Sequence, residues 1–234
     1  MKEFGVSPIG KNLARYRKAE GLSAAELAEK VGEGLSRSVI ANLENGRKDD
    51  ITVRQLIALA NVLRVPPAVL VVDLFSPGDD SPYPMPTADT YGEIDLDSFE
   101  VVRKPGRSRN SEFLTWFGAQ STLIPEDQLE GASQLADDAI QKLRGYQFAW
   151  RRYANALYRV TQSLDPITRE PLIPSDEINA LEKDLSEEAS HVLRWVREMK
   201  RAGIKNEAAE PQIRGAMRTL RISLADDVRE DFDG

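Results

Sequence analysis

Residues 35–48 read LSRSVIANLENGRK, and this stretch decides the fold of the first third of the chain. Ser36 is suited to cap the start of a helix, because its hydroxyl can accept a hydrogen bond from a free backbone N–H of the first turn. Gly46 is suited to the position just after the last turn, where the backbone often becomes left-handed. Ile40 and Leu43 are three residues apart and therefore share one helix face. The stretch predicts a short helix with one buried side and an outward side of polar and basic residues.

A second short helix is predicted just before this one. Residues 21–32 read GLSAAELAEKVG, in which Ser23 and Glu26 have the spacing of a capping box. Residues 32–34, which read GEG, interrupt the pattern and separate the two helices. In DNA-binding proteins such a pair places one helix in the major groove while the other braces it across the backbone. The major groove is where each base pair presents a distinct pattern of donors and acceptors.

Three further helices are predicted around this pair, so that residues 8–75 hold five. The first covers about residues 8–20 and turns its apolar residues to one side. Thr52 caps the fourth, and the prolines at 66 and 67 open a short fifth helix that ends near residue 75.

Residues 126–202 are predicted to form a pair of long helices separated by prolines. Over 126–164 apolar residues recur at the seven-residue spacing of a coiled-coil seam, which consists of Leu129, Ala136, Leu143, Trp150, Leu157 and Leu164. The second helix, over about 175–202, has an apolar stripe of its own. Because a two-helix hairpin leaves much of both stripes uncovered, we expect a second copy to complete a four-helix arrangement.

The other segments are predicted to hold little regular structure. Residues 76–125 are interpreted as a linker followed by an ambiguous segment: residues 76–90 contain four prolines and form the linker, and residues 91–125 are the ambiguous part. Within it, FEVVRK at 99–104 and EFLTWF at 112–117 favour either two short β-strands around a turn or an extended arm. In this mainly all-α fold the predicted divisions are residues 1–75, 76–125, 126–202 and 203–234. The last is a polar tail that ends in an acidic run, for which a short helix near residues 212–220 is an alternative.

Charge is distributed unevenly along the chain. The whole chain carries −7, yet residues 1–75 hold 11 basic and 9 acidic residues and are weakly positive. DNA affinity depends on a local basic face rather than on the sum over the chain. The composition is therefore compatible with a DNA-binding N-terminal third followed by an acidic remainder.

Several classes of activity are excluded by missing residue types. Without cysteine there is no thiolate zinc site, and with His191 as the only histidine there is neither an HExxH protease nor a histidine-rich cupin site. No nucleotide-binding glycine motif occurs. We therefore expect no enzyme activity, no cofactor and no metal. Because no signal peptide and no apolar run of about 18 residues is found, we expect a cytoplasmic protein with no membrane association.

Three stretches together resemble a known family. GLSAAELAEKVG, LSRSVIANLENGRK and TVRQLIALANVLRVPPAVLV are similar to the Cro/phage-repressor class of helix-turn-helix domain, the XRE class, over residues 8–75. The resemblance implies a five-helix, lambda-repressor-like DNA-binding domain in a transcriptional regulator of a phage or of the bacterial cytoplasm or nucleoid. Two departures from the family pattern stand out. Ala24 occupies the position of a phosphate-contacting glutamine, and the turn around Glu33 and Gly34 is two residues longer.

The resemblance also implies which residues contact DNA. Base contacts are expected from the outward side of the recognition helix, at Arg37, Ser38 and Asn42. Phosphate contacts are expected from Ser36, Asn45, Arg47 and Lys48. Glu44 is expected to make a contact within the domain instead.

Two further groups of residues are candidates on their chemistry alone. Lys11 and Asn12, near the start of the first helix, are candidates for DNA backbone contacts. A basic segment in the linker region is a candidate for a minor-groove arm or a solvated turn; its basic residues are Arg103, Lys104, Arg107 and Arg109.

These expectations combine into one functional hypothesis and one alternative. The hypothesis is a repressor that binds double-stranded DNA through residues 8–75 and forms a homodimer through residues 126–202, so that two copies read a palindrome. The alternative is an antitoxin-like or adaptor protein, whose helical C-terminal region binds another protein and for which DNA binding is secondary.

Overall fold

The structure is a computed structural model that describes residues 8–48, 50–77, 93–94, 101–102 and 130–224. These residues are mainly helical, with eight helices and one minimal pair of strands, which confirms the mainly all-α fold class. They fall into two compact units. The first unit contains residues 8–77 and 130–141, and the second contains the strand pair and residues 142–224.

Five short helices form most of the first unit, as the sequence predicts. They are α1 (Pro8–Ala19), α2 (Ala24–Val31), α3 (Arg37–Glu44), α4 (Val53–Leu63) and α5 (Pro67–Val71). Their inward side chains form one core, with Leu13, Leu27, Ile40, Leu43, Leu59 and Leu63 fully buried. Within this core α3 packs against both α1 and α2, so its inward face is covered from two sides.

Local hydrogen bonds explain where these helices begin and end. Capping boxes open α2 and α4, since Ser23 and Thr52 accept from the third N–H of each helix while Glu26 and Gln55 bond back. The fifth helix ends at Val71, earlier than the sequence suggests. There the Asp73 carboxylate accepts the backbone N–H of Phe75 at 2.9 Å, which favours a turn over continued helix.

The sixth helix, α6 (Gly131–Gln162), begins within the first unit. A Glu20 carboxylate oxygen accepts the backbone N–H of Ala132 at 3.1 Å and also pairs with Arg64 at 3.2 Å. The Ser133 hydroxyl donates to the backbone carbonyl of Arg64 at 2.8 Å. The division between the two units lies inside α6, after Gln141.

Three helices form the core of the second unit. The later part of α6 and α7 (Ser175–Arg201) form the expected helix pair, and α8 (Ala209–Leu220) packs against α7. The short helix that is an alternative near residues 212–220 is present as α8, and it buries Ile213 and Met217 in the unit's core, so residues 203–224 are not a frayed tail. Residues 225–234 lie outside the described part of the chain.

The heptad seam of α6 is covered by the chain itself. Ala136, Leu143 and Leu157 are buried, and Trp150 and Leu164 are partly buried. In the second unit this cover comes from α7 and α8 together. In the described residues the predicted seam is therefore buried within one copy, while Leu129 lies outside them. Pairing with a second copy stays a prediction.

The strand pair is minimal. Glu93–Ile94 pairs antiparallel with Val101–Val102, with Glu93 opposite Val102. One strand falls within the predicted 99–104 segment, while its partner precedes it in the chain. The other predicted strand, at 112–117, lies outside the described residues.

Candidate nucleic-acid interface

The start of α3 is shaped by two serine hydroxyls. Ser36 caps the helix by accepting the backbone N–H of Val39 at 3.3 Å, as the sequence predicts. Its oxygen also lies 2.8 Å from the Ser38 hydroxyl. Both serines are exposed, so the pair can bond to a ligand without unfolding the cap.

The outward face of α3 presents Arg37 at its first turn. The Arg37 side chain is exposed and makes no ion pair with any of the described residues. Asn42 lies one turn further along and is half-buried, while Ile40 and Leu43 on the opposite face are fully buried. The helix is thus held by one face and leaves a polar face accessible.

The segment after α3 folds back onto the helix. The backbone carbonyl of Asn42 accepts the N–H of Arg47 at 2.8 Å and that of Lys48 at 3.1 Å. Asn45 and Arg47 are exposed. The Lys48 ammonium bonds to Asp50 at 2.6 Å and holds the pKa of that carboxyl below its usual value. A phosphate would therefore compete with Asp50 for Lys48.

An ion pair between Arg17 and Glu44 joins α1 to the end of α3. The Arg17 guanidinium donates two bonds to the Glu44 carboxylate, at 2.6 and 2.8 Å, and a third to the carbonyl of Leu22 at 2.6 Å. Hydrogen bonding to Glu44 raises the pKa of Arg17, against the opposing effect of burial. This geometry confirms that Glu44 makes a contact within the unit and does not face outward with Arg37.

Comparison with known proteins adds one match. Residues 13–70 match the family model described as Helix-turn-helix, from the middle of α1 to α5. These residues are a helix-turn-helix domain of the XRE type. The family is one of DNA-binding regulatory domains. No curated protein and no solved structure matches the chain.

Within the first unit, the side chains of two predicted DNA contacts, Lys11 and Asn12, make internal bonds. Asn12 is 1% exposed and donates to the carbonyl of Leu70 at 3.5 Å, so its prediction as a backbone contact is wrong. The Lys11 ammonium pairs with Asp73 at 3.0 Å, and Arg15 binds the other oxygen of the same carboxylate at 2.6 Å. Lys11 and Arg15 thereby join α1 to the segment that follows α5. A largely buried carboxylate such as Asp73 is stable only when cations neutralise its charge.

The remaining predicted contacts divide into two groups. The structure brings together, at α3 and just after it, Ser36, Arg37, Ser38, Asn42, Asn45, Arg47 and Lys48. Outside the described residues lie Arg103, Lys104, Arg107 and Arg109.

Sequence reasoning missed a contact between α4 and the turn that precedes α3. Arg54 pairs with the Glu33 carboxylate at 3.0 Å, and the Gln55 amide donates to the Glu33 carbonyl at 3.3 Å. Gln55 lies three residues after Thr52, which is the capping-box spacing that could have drawn attention to it.

Two kinds of feature are absent from the described residues, namely a metal-binding cluster and a membrane-spanning helix. No group of three or more histidine, aspartate or glutamate side chains among them is arranged to hold a metal ion. None of the described helices combines the length and the apolar composition that crossing a bilayer requires.

Proposed function

We propose that this chain is a sequence-specific repressor that binds double-stranded DNA. The observation that carries the proposal is α3, in which Arg37 is exposed at the first turn while Ile40 and Leu43 are fully buried. Such a helix can enter the major groove while its core contacts and the Arg17–Glu44 pair hold it in place. Bound at an operator, the protein would occlude the polymerase.

Each residue of this face has a proposed role. Arg37 donates two bonds to one guanine, and Ser38 and Asn42 contact neighbouring bases. The phosphates are held by Ser36, Asn45, Arg47 and Lys48, which set the position of the helix along the groove. Because Ser36 and Lys48 already have partners, Ser38 and Asp50, binding by these two exchanges an internal contact for a phosphate.

A homodimer through residues 126–202 completes the proposal. Two copies related by a two-fold axis would read a palindrome and double the base contacts. Since the heptad seam is covered, the outer face of α6 supports this role instead, with Phe148 65% exposed and Tyr158 63% exposed. Burying these two aromatic side chains against a second copy would remove apolar surface from water and so favour association.

The test is selection of bound DNA from a random pool, followed by binding measurements with three variants. A palindromic consensus supports both specificity and dimerisation. Arg37→Ala should weaken binding to the selected site by about tenfold or more and binding to random DNA by much less. Arg47→Ala should weaken binding to both and reduce the salt slope by about one.

The matched control is Arg194→Ala, an exposed arginine of α7 in the second unit. It should change neither affinity. If the Arg37→Ala variant selected the same consensus with the same preference, the assignment of α3 as the recognition helix would be wrong. Equal affinity of the unaltered protein for all duplexes would remove the repressor proposal altogether.

An antitoxin-like or adaptor protein is a second candidate function, supported by apolar residues on the second unit. Ile167 and Leu172, in the loop between α6 and α7, are exposed at 90% and 62%. Within that loop the Asp165 carboxylate accepts the backbone N–H groups of Ile167 and Thr168, which favours a single turn conformation. The candidate predicts a monomer in solution whose complex with a second protein is disrupted by Ile167→Asp, whereas the repressor predicts a homodimer that this change leaves intact.

A further inference from the structure

The turn between α2 and α3 has an uncommon backbone. Gly32, Glu33 and Gly34 all have positive φ angles, of 62°, 49° and 72°. Two of them are glycines, for which this conformation is readily accessible, but Glu33 carries a side chain that disfavours it. The turn therefore needs contacts from outside itself to keep one conformation.

One anchor of the turn is its own last residue. Leu35 is 3% exposed, and its N–H donates to the carbonyl of Gly32 at 2.8 Å. The middle of the turn is open, since a side chain added at Gly32 or Gly34 would meet nothing within 4 Å. The conformation of Glu33 therefore depends on contacts from another element.

The second anchor comes from the start of α4. The Gln55 side chain uses both ends of its amide: its oxygen accepts the N–H of Thr52 at 3.2 Å, and its nitrogen donates to the Glu33 carbonyl at 3.3 Å. The Arg54–Glu33 ion pair joins the same two elements, but the Arg54 side chain is 83% exposed, so the pair contributes little. The hydrogen bond from the Gln55 amide to the Glu33 carbonyl is the directional contact between the two elements.

We propose that Gln55 is a positioning residue for DNA recognition, because it holds the turn that leads into α3. This inference rests on the proposed function of α3. Arg37 follows Glu33 by only four residues, so a displacement of the turn is passed to the base-reading side chain. Bidentate recognition tolerates errors of roughly 0.5 Å, which makes small displacements measurable as lost specificity.

Two substitutions separate positioning from helix capping. Gln55→Met removes both bonds at nearly the same length of side chain. Gln55→Glu keeps an oxygen that caps Thr52 and loses only the donor to Glu33. Val53→Glu is the control for the added charge, since Val53 is 72% exposed at the start of the same helix.

The first measurement is amide hydrogen exchange at Leu35 in the full chain, which reports on the turn independently of DNA. Both Gln55 variants should exchange this proton roughly threefold to tenfold faster, the range that one lost hydrogen bond supports. Val53→Glu should leave the rate unchanged. The melting temperature should fall more for Gln55→Met, which loses both bonds, than for Gln55→Glu, whose cap is intact.

The second measurement is the ratio of affinities for the selected site and for random DNA. Both Gln55 variants should lower this ratio roughly threefold to tenfold, by the loss of one aligned contact. Val53→Glu should weaken both affinities equally through charge and preserve the ratio, which a purely electrostatic effect does not change.

Three outcomes would overturn the inference. Unchanged exchange at Leu35 in both Gln55 variants would mean that the turn does not depend on Gln55. Faster exchange with an unchanged affinity ratio would mean that the turn does not position α3. A wild-type protein without sequence preference would overturn the proposed function and this inference with it, and is recognised before any variant is made.

Discussion

At the scale of single residues, buried charge decides which cations of the first unit are available to DNA. Asp73 is largely buried and is bound by Lys11, by Arg15 and by the backbone N–H of Phe75. The Arg15 guanidinium also lies over the Phe75 ring, 4.2 Å from its centre. These cations stabilise the domain, whereas Arg37 has no such internal partner among the described residues and is left for a ligand.

The same cluster gives a prediction for pH dependence. Burial alone would raise the pKa of Asp73, but the bonds from Arg15, Lys11 and Phe75 outweigh it and lower the pKa below its ordinary value of 3.8. A carboxyl with a depressed pKa in the folded state binds fewer protons there than when unfolded, so its stabilisation is present above pH 3.8 and is lost on further acidification. Asp73→Asn should lower the free energy of unfolding at pH 7 by about 1.5–3 kcal/mol.

Denaturant unfolding across the acid range checks this prediction. The difference between wild type and Asp73→Asn should shrink as the pH falls below 3.8. Asp138→Asn is the control, because Asp138 is exposed on α6. A difference that stays constant or grows with acid would contradict the assigned ion pairs.

At the scale of elements, helix ends follow local signals while helix contacts do not. The N-caps of α2, α3 and α4 could be predicted because each depends on residues three apart. The close contact between α6 and α7 could not. A Cβ at Gly145 would lie 2.3 to 2.5 Å from three atoms of the Trp195 indole, which explains a glycine in the middle of a long helix.

This contact predicts an unusual response to alanine. In an unconstrained helix Gly→Ala stabilises by about 1 kcal/mol. Here Gly145→Ala should instead destabilise by about 1–3 kcal/mol, because the indole must move out of a packed position. Thermal unfolding measures the effect, and Asn155→Ala at an exposed position of the same helix should be neutral or slightly stabilising.

The double variant identifies the cause. Adding Trp195→Phe to Gly145→Ala should recover part of the lost stability, since the smaller ring leaves room for the methyl group. If Gly145→Ala raised the melting temperature as an ordinary exposed glycine would, the assigned contact with Trp195 would be wrong.

At the scale of the whole molecule, the seven-residue apolar pattern serves the chain's own packing. Leu157 lies in the core formed by α6, α7 and α8, while Phe148 on the same helix is exposed. Periodicity identifies a buried stripe but not the partner that buries it. The proposed homodimer therefore has to use surface that lies outside the seam.

The mass of the protein in solution, measured by light scattering, distinguishes the heptad seam from the exposed face of α6 as the dimer interface. Leu157→Ala should lower the stability by about 2–5 kcal/mol and leave the mass of the dimer unchanged. Phe148→Asp should halve the mass with little change in melting temperature, because its side chain is already exposed in one copy. Asn179→Asp, which adds the same charge at an exposed position of α7, should change neither. The reverse pattern would make the seam the interface.

The sequence by itself determined the five helices of residues 8–75, the caps of α2, α3 and α4, and the polar face of α3, because all of these depend on residues within four positions of one another. The tertiary structure decided that Asn12 is buried, that Lys11 neutralises Asp73 across 62 positions, and that α8 covers the hairpin. Such pairings depend on how helices pack, and the energy that selects them is spread over contacts between segments far apart in the chain. Local patterns therefore specify which faces are buried, and only packing specifies by what.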